Sequence, residues 1–267
     1  RIFREPSMNL MDLANNLKPS VLKAGNIIME IYRDEITHKI KTDGSPVTEA
    51  DKAAERIILS ELSRLVPEIL VVSEEAPESH SKISEKKFFL VDPLDGTKEF
   101  LKKDGKGSFT VNIGLIENHI PVMGIVYAPA IERLFFGAQG FGAWELFNGI
   151  KTRLSIGEQK TDHVVAVASA SHRDKQTDIW LKENKISKTT SIGSSLKFCL
   201  VAAGQADVYP RFGPTMEWDT AAGDAILRAA GGNITHPDLS SFNYGKSFYR
   251  NGPFIAWGNY KGRDVLK

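Results

Sequence analysis

Residues 87–100 read KFFLVDPLDGTKEF, and this stretch decides how the chain is interpreted. Its first five residues include an apolar run typical of a buried β-strand. The chain then leaves this run through Asp92 and Asp95, beside a proline and a glycine. Two carboxylates three residues apart repel each other, so either water screens them or a cation neutralises them.

The overall composition is that of a globular protein. The 267 residues are 42% hydrophobic and 25% charged, with a formal net charge of +1. This balance argues against a nucleic-acid-binding protein, and no apolar run approaches the roughly 20 residues of a membrane span. The single cysteine, Cys199, rules out an intramolecular disulfide and fits a reducing cytoplasm; within FCLVAAG we expect it to be a core residue. We expect a natural start at Met8 and leave residues 1–7 out of the fold argument.

The first part of the chain predicts two helices. Apolar residues at helical spacing predict a helix over 10–33, which Pro19 and Gly25 could interrupt. A second helical pattern covers 49–66, with Thr48 as its N-cap.

Short apolar runs separated by turn residues predict strands in the middle of the chain. These runs are ILVV, KFFLV, FTVNIGLI, PVMGIVYA and RLFFGA, followed later by HVVAVAS and ADVYPRF. Two apolar segments, SSLKFCLVAAG and DTAAGDAILRAAG, predict helices that end at glycine. The glycine-rich GAQGFGAW lacks the order of a dinucleotide loop and predicts a tight hairpin. The segment 157–162 is the best candidate for a boundary between two α/β lobes, 8–160 and 161–267.

Carboxylates recur at the ends of apolar elements. ILVVSEE places Glu74 and Glu75 after a strand, and EWDTAAGDAIL places Asp219 at the N-cap of a helix. TEAD adds Asp51. Each has a plain structural interpretation as a helix cap, a solvated loop or a turn residue. Their repeated placement at such ends favours convergence on one site.

A site built from these residues would suit a hard cation. Carboxylate oxygens without Cys or His ligands favour Mg²⁺ over Zn²⁺. Gly96 allows close approach to the backbone, and Thr97 opens a short helix whose free N–H groups and hydroxyl suit a phosphate. The combination predicts metal-assisted phosphate chemistry.

Three motifs in this order, SEE, DPLDGT and WDTAAGDAIL, resemble those of the inositol monophosphatase superfamily of Mg²⁺-dependent, lithium-sensitive phosphatases. The resemblance begins at DGSPVTEAD and covers nearly the whole chain. Residues 190–223, TSIGSSLKFCLVAAGQADVYPRFGPTMEWDTAAG, are similar to the bacterial CysQ-type branch of 3′(2′),5′-bisphosphate nucleotidases. The fold that this implies is α/β (α+β), a layered αβαβα sandwich with mixed, largely antiparallel sheets.

The resemblance also implies roles for individual residues. Metal ligands would be Glu74, Asp92, the Leu94 carbonyl, Asp95 and Asp219, holding two or three Mg²⁺ ions with Asp92 as the bridge. Thr97 and the Gly96 backbone would hold the phosphate and orient the attacking water, with Glu74 assisting and Asp51 behind Thr97. Glu74, Leu94, Asp95 and Asp219 would thus also border the bound substrate.

Three further positions match the nucleotidase branch, namely His172, Lys197 and Arg211. Taken alone, they would be interpreted as a surface loop residue, a solvated helix residue and a strand-edge charge. Ser194, at the start of the helix, is a further candidate that could equally be only an N-cap. A second phosphate and a nucleoside need cationic and hydrogen-bonding partners beyond the metals, and these side chains could supply them. Trp218, next to Asp219, we interpret as a packing residue.

The resemblance implies hydrolysis of the 3′-phosphate of adenosine 3′,5′-bisphosphate to AMP and phosphate. We expect no covalent phosphoenzyme, because no Ser, Cys or His nucleophile is paired with a base in these motifs. Two alternatives stay open, an inositol monophosphatase with the same metal ligands and a non-catalytic nucleotide-binding protein. We expect a cytoplasmic protein of sulfur assimilation with no nucleic-acid partner. Peripheral contact with the cytoplasmic face of the inner membrane, and the choice between monomer and homodimer, are left open.

Overall fold

A computed structural model of the chain describes residues 8–33, 38–40, 46–82, 86–103, 106–169 and 172–262. The expectation about residues 1–7 lies outside these ranges. The helices are α1 (Leu10–Arg33), α2 (Glu49–Leu65), α3 (Thr97–Lys102), α4 (Lys175–Glu183), α5 (Leu196–Ala202) and α6 (Glu217–Ala229). The strands are β1 (His38–Ile40), β2 (Pro46–Thr48), β3 (Leu70–Ser73), β4 (Lys87–Asp95), β5 (Thr110–Glu117), β6 (Ile120–Ala128), β7 (Arg133–Ala138), β8 (Gly142–Phe147), β9 (Ile150–Leu154), β10 (Val165–Ser169), β11 (Lys188–Ile192), β12 (Val208–Arg211), β13 (Thr215–Met216), β14 (Asn233–Thr235), β15 (Arg250–Asn251) and β16 (Phe254–Trp257).

Two large sheets organise the molecule. The first has seven strands in the order β3-β4-β5-β6-β7-β8-β9, and its neighbours are antiparallel except for the parallel pair β3 and β4. The second has five strands in the order β11-β10-β12-β16-β14, of which β11, β10 and β12 run parallel. Two short antiparallel pairs, β1 with β2 and β13 with β15, complete the sheets described. The prediction of mixed, largely antiparallel sheets is confirmed.

Helices cover both faces of each sheet. Helices α1 and α2 pack on one face of the seven-stranded sheet, α5 and α6 fill the space between the sheets, and α4 lies beyond the five-stranded sheet. In β4, Phe89 and Val91 face the core under α1 and α2, whereas Phe88 and Leu90 face the central core. Because both faces are covered, the run FFLV is apolar throughout instead of alternating. The layers form the predicted αβαβα sandwich.

Helix α1 is continuous, so the predicted interruption at Pro19 or Gly25 is wrong. Pro19 lies on the exposed side, where water can solvate the carbonyl that a proline cannot bond. Gly25 faces the sheet, and a Cβ there would lie 2.3 Å from the Tyr127 ring. The glycine therefore allows helix and sheet to approach closely. Helix α2 begins directly after Thr48, as predicted for a cap, although the Thr48 side chain lies outside the described residues.

Strand β4 does not end at Val91 as expected but continues to Asp95. Its pairing with β5 shifts between Asp92, opposite Asn112, and Asp95, opposite Thr110, so β4 carries one extra residue there. This β-bulge matters because residues three apart in a regular strand point to opposite faces. The extra residue allows the two aspartates to reach the same side.

Several smaller predictions are confirmed. Helices α5 and α6 are followed by Gly204 and Gly231 with φ of +70° and +99°, and GAQGFGAW forms the turn between β7 and β8. Cys199 is a fully buried core residue, and burial raises the pKa of its thiol. The strands of the two sheets are separated in sequence, but the division into lobes 8–160 and 161–267 stays a prediction. Within the described ranges, no helix is both long and apolar enough to span a membrane.

Candidate active site

The predicted site residues line one cleft, of about 250 Å³, where β4, α3, α5, β12 and α6 meet. The lining includes Glu74, Asp92, Leu94, Asp95, Gly96, Thr97, His172, Ser194, Lys197, Arg211 and Asp219. Asp51 is absent from this lining and is buried in the first turn of α2. The structure brings the cleft residues together, and the role of each stays a prediction.

An acidic trio, Asp92, Asp95 and Asp219, forms one side of the cleft. Each contributes a carboxylate oxygen, and these three oxygens lie within 4.8 Å of one another. Backbone N–H groups orient the side chains: Leu94 N donates to Asp92 Oδ1 at 3.1 Å, and Ser195 N donates to Asp95 Oδ2 at 2.6 Å. The strand bulge and two separate helices thus aim three carboxylates at one point.

The environment of the trio penalises its negative charge. Burial raises the pKa of Asp92 well above its ordinary value, and the neighbouring carboxylates of Glu74, Asp95 and Asp219 raise it further. Burial and the same kind of repulsion raise the pKa of Asp219, and burial raises that of Asp95 to about 6. Glu74 lies outside the tight trio, but its carboxyl group is within hydrogen-bonding reach of Asp92. A cation between these groups would offset both the burial and the repulsion.

The sequence suggested that Asp219 is the N-cap of its helix, and this prediction is wrong. Helix α6 begins at Glu217, and Asp219 is its third residue, which accepts a hydrogen bond from Met216 N at 2.7 Å. An acidic residue in the first turn gives the same sequence signal in either position. Trp218 is buried and stacks on His80, with ring centroids 4.6 Å apart, so the packing interpretation is confirmed.

The turn after β4 places the backbone near the trio. Gly96 has φ of +86°, a conformation that favours glycine, and a Cβ there would lie 3.3 Å from the Phe109 backbone. Thr97 follows as the first residue of α3, and its hydroxyl donates to the Leu94 carbonyl at 3.3 Å. That carbonyl oxygen keeps a second lone pair for a further partner.

Cationic side chains form another part of the cleft. Lys197 is 3% exposed and donates to the carbonyls of Ile192 at 3.2 Å and Ser194 at 2.8 Å. Burial lowers its pKa to about 8, against the opposing effect of Asp95. Arg211, also buried, ends β12 and donates to the Gly213 and Pro214 carbonyls at 3.3 Å each.

His172 lies at the exposed rim of this cationic side. Its Nε2 lies 3.1 Å from Lys98 Nζ. Partial burial lowers the pKa of His172, and Arg211 and Lys98 lower it further. Ser194 precedes α5 with φ of +55°, and its Oγ accepts from Leu196 N at 3.3 Å, whereas Ser195 holds the N-cap position. The cap interpretation of Ser194 therefore holds only in part.

Sequence reasoning missed several residues of this region. Lys98, Glu99, Ser169, Ser195 and Tyr209 also line the cleft. Two buried polar residues of β5, Thr110 and Asn112, pair with Asp95 and Asp92 beside the cleft. The sequence contains a signal for them, because they interrupt the apolar run FTVNIGLI at alternate positions, which share one face of a strand.

The comparison with protein families identifies the chain. The sequence model that defines the inositol monophosphatase family matches residues 10–261 of this chain. This chain belongs to the inositol monophosphatase family. The family resemblance drawn from the three motifs is therefore confirmed, and Mg²⁺-dependent phosphatase chemistry is general to this family.

Two curated relatives and one solved structure show which members of this family the chain is similar to. The 3′(2′),5′-bisphosphate nucleotidase CysQ of Salmonella typhimurium is 47% identical over 214 residues, covering 79% of this chain and 85% of that protein. The protein of the same name from Buchnera aphidicola is 40% identical over 253 residues, covering 90% and 93%. Among solved structures, CysQ from Bacteroides thetaiotaomicron matches with a TM-score of 0.78 at 38% identity, covering 93% of this chain and 98% of that one.

Proposed function

We propose that this chain is a Mg²⁺-dependent 3′(2′),5′-bisphosphate nucleotidase that hydrolyses the 3′-phosphate of adenosine 3′,5′-bisphosphate to AMP and phosphate. The observation that carries the proposal is the pairing, in one cleft, of an acidic trio with the buried cations Lys197 and Arg211. A bisphosphate needs both: metal ions at the phosphate that is cleaved, and cationic side chains at the phosphate that stays. The nucleotidase relatives support the same substrate class.

The donor set of the cleft fits magnesium. Carboxylate and carbonyl oxygens are the ligands of hard cations, and the trio together with Glu74 and the Leu94 carbonyl supplies five candidates. We expect these groups to hold two or three Mg²⁺ ions. When bound, such ions lower the pKa of water and stabilise negative charge on phosphate oxygens.

The residues around the trio would orient the phosphate. The Thr97 hydroxyl and the Gly96 backbone stand beside the Leu94 carbonyl, so a phosphate held there would also be near the ions. Asp51, buried in the first turn of α2, would act behind Thr97 rather than on the substrate. Catalysis would then rest on positioning and charge stabilisation, which is what hydrolysis of a phosphate monoester requires.

On the cationic side of the cleft, the nucleoside and the 5′-phosphate would be bound by His172, Ser194, Lys197 and Arg211. Lys197 uses two of its three N–H groups on backbone carbonyls of the described residues, and the ammonium group lies 5.2 Å from the centre of the Tyr209 ring. Those contacts hold the ammonium group in place before substrate binds. Cytoplasmic location, peripheral membrane contact and monomeric or dimeric state stay predictions.

A phosphate-release assay tests the proposal. It compares adenosine 3′,5′-bisphosphate, inositol 1-phosphate and fructose 1,6-bisphosphate, each with and without Mg²⁺. The alternative tested against it is an inositol monophosphatase with the same metal ligands. We expect kcat/KM to be highest for the nucleotide. A preference for inositol 1-phosphate would favour the alternative, and no turnover of any substrate would favour a binding protein.

The metal preference gives a further prediction. Mg²⁺ should activate the enzyme, and Ca²⁺ added at constant Mg²⁺ should inhibit it, because Ca²⁺ takes more ligands at longer distances and misplaces the reacting groups. Initial rates over a Ca²⁺ titration measure this effect. Full activity with Ca²⁺ alone would contradict the assignment of the site to Mg²⁺. Inhibition by Li⁺ is expected from the family resemblance alone.

A further inference from the structure

A closed ring of three hydrogen bonds joins the seven-stranded sheet to the start of α5, beside the cleft that Ser195 helps to line. Its members are Thr110 and Asn112 on β5 and Ser195, none more than 2% exposed. Thr110 Oγ1 lies 2.8 Å from Ser195 Oγ, which lies 2.5 Å from Asn112 Oδ1, and Asn112 Nδ2 lies 3.1 Å from Thr110 Oγ1. We call this group the β5–α5 ring.

The chemistry of the three groups allows one proton arrangement. Asn112 Oδ1 can only accept, so the Ser195 hydroxyl donates to it. The Thr110 hydroxyl must then donate to Ser195 Oγ, and Thr110 Oγ1 accepts from Asn112 Nδ2. The amide of Asn112 also donates to the Thr110 carbonyl at 3.1 Å, so a flipped amide would place two acceptors together. The ring therefore fixes the positions of its three members relative to one another.

The β5–α5 ring lies behind two members of the acidic trio. Thr110 pairs with Asp95 across the sheet, and Asn112 pairs with Asp92. Ser195 reaches Asp95 a second way, because its backbone N–H donates to Asp95 Oδ2 at 2.6 Å. That bond occupies one carboxylate oxygen and leaves Oδ1 for another ligand. Position and orientation of Asp95 thus depend on where Ser195 is held.

We propose that Thr110, Asn112 and Ser195 are positioning residues that hold Asp95 in its metal-binding orientation and set α5 against the metal site. This inference rests on the proposed function. Apolar side chains of similar shape would fill the same space without the cost of burying three polar groups, so what the ring adds to packing is orientation. Helix α5 also carries Lys197, and the same ring therefore fixes the spacing between the metal ligands and this cation.

Thr110→Val tests the proposal because valine keeps the shape of threonine and removes the hydroxyl. The measurement is binding of Mn²⁺ alone to the metal-free protein, followed by loss of the electron paramagnetic resonance signal of free Mn²⁺. We expect the Kd of Mn²⁺ to rise about 10- to 100-fold, the usual effect of losing a group that orients a metal ligand. Thr110→Ser, which keeps the hydroxyl, should restore the affinity to near that of the wild type. Ser195→Ala breaks the ring from the other side and serves if Thr110→Val does not fold.

Thr235→Val is the matched control. It removes a hydroxyl that accepts a hydrogen bond from Trp257 Nε1 at 2.9 Å, on strand β14 of the other sheet. This variant should have a lower Tm and an unchanged Kd for Mn²⁺. An unchanged Kd in folded Thr110→Val, or an equal loss in Thr110→Ser, would overturn the positioning role while wild-type binding still supports the proposed function. A wild-type protein that does not bind Mn²⁺ would overturn both.

Discussion

Replacing Asp92 by asparagine should lower the turnover of adenosine 3′,5′-bisphosphate at least about 10²–10³-fold while the fold stays intact, the size of effect seen when one stabilising electrostatic group is removed. Asp92 is 1% exposed, belongs to the acidic trio and has its carboxyl group within hydrogen-bonding reach of Glu74, so it would be the best placed of these groups to contact two ions. Asparagine keeps the size of the side chain and removes the charge. The measurement is kcat at saturating Mg²⁺, with circular dichroism to verify the fold.

The same substitution should raise the Tm of the metal-free protein. Burial and three neighbouring carboxylates disfavour the charge on Asp92, so its removal relieves repulsion in the folded state. Asp224→Asn is the contrasting control. Asp224, on α6, is buried like Asp92, but its carboxylate pairs with Arg228 Nε at 2.6 Å. It should lower the Tm and leave turnover by the folded protein nearly unchanged. Near-normal turnover in folded Asp92→Asn would contradict the metal assignment.

The pH dependence of the metal-free protein follows from the same carboxylates. The folded-state pKa of Asp95 is about 6, raised by burial above an ordinary 3.8, so the folded protein takes up this proton before the unfolded chain does. Stability should therefore increase as the pH falls from about 6 towards 4. Thermal unfolding in the presence of a chelator measures this trend. Saturating Mg²⁺ should reverse it, because protons then compete with the metal for the same oxygens.

The fold and the grouping of acidic residues in one cleft were largely predictable because their signals are local. Apolar runs, turn residues and the three motifs gave the order of elements and the acidic residues of the cleft. The bulge in β4 was not predictable from spacing alone. A separation of three between Asp92 and Asp95 argues against a shared face in a regular strand. The aspartates, proline and glycine after Val91 had suggested that the chain leaves the strand there. In the structure the strand continues to Asp95, and one extra residue in β4 allows both aspartates to reach the same side.

The β5–α5 ring shows a second limit. Thr110 and Asn112 stand out in the sequence as polar residues on one face of an apolar strand. Their partner is separated from them by 85 and 83 residues, and nothing local in GSSLKF marks Ser195 rather than Ser194. Which polar group satisfies which is decided by how α5 packs on the sheet, and one sequence does not contain that information.

Replacing Lys197 by methionine should raise the KM for adenosine 3′,5′-bisphosphate by about one to two decades, since a hydrogen bond to a charged group is worth roughly 1.5–3 kcal/mol. Methionine keeps most of the apolar stem in its buried position and removes the ammonium group. Hydrolysis of a small phosphate monoester should scarcely change, because such a substrate does not extend to Lys197. Arg211→Ala should show the same split between the two substrates. Steady-state kinetics with both substrates measure it.

The pKa of Lys197 allows a test that distinguishes substrate binding by its ammonium group from a purely structural role. Burial lowers that pKa to about 8, so the free enzyme loses this positive charge as the pH rises through that value. The kcat/KM for the bisphosphate should fall across the same range in the wild type, and this fall should disappear in Lys197→Met. Lys160→Met is the control, because Lys160 pairs with buried Asp207 at 3.0 Å outside the cleft lining and should affect stability alone. Equal losses on both substrates in Lys197→Met would mean that its ammonium group serves to hold the Ile192 and Ser194 carbonyls, and the second phosphate would then need another cation.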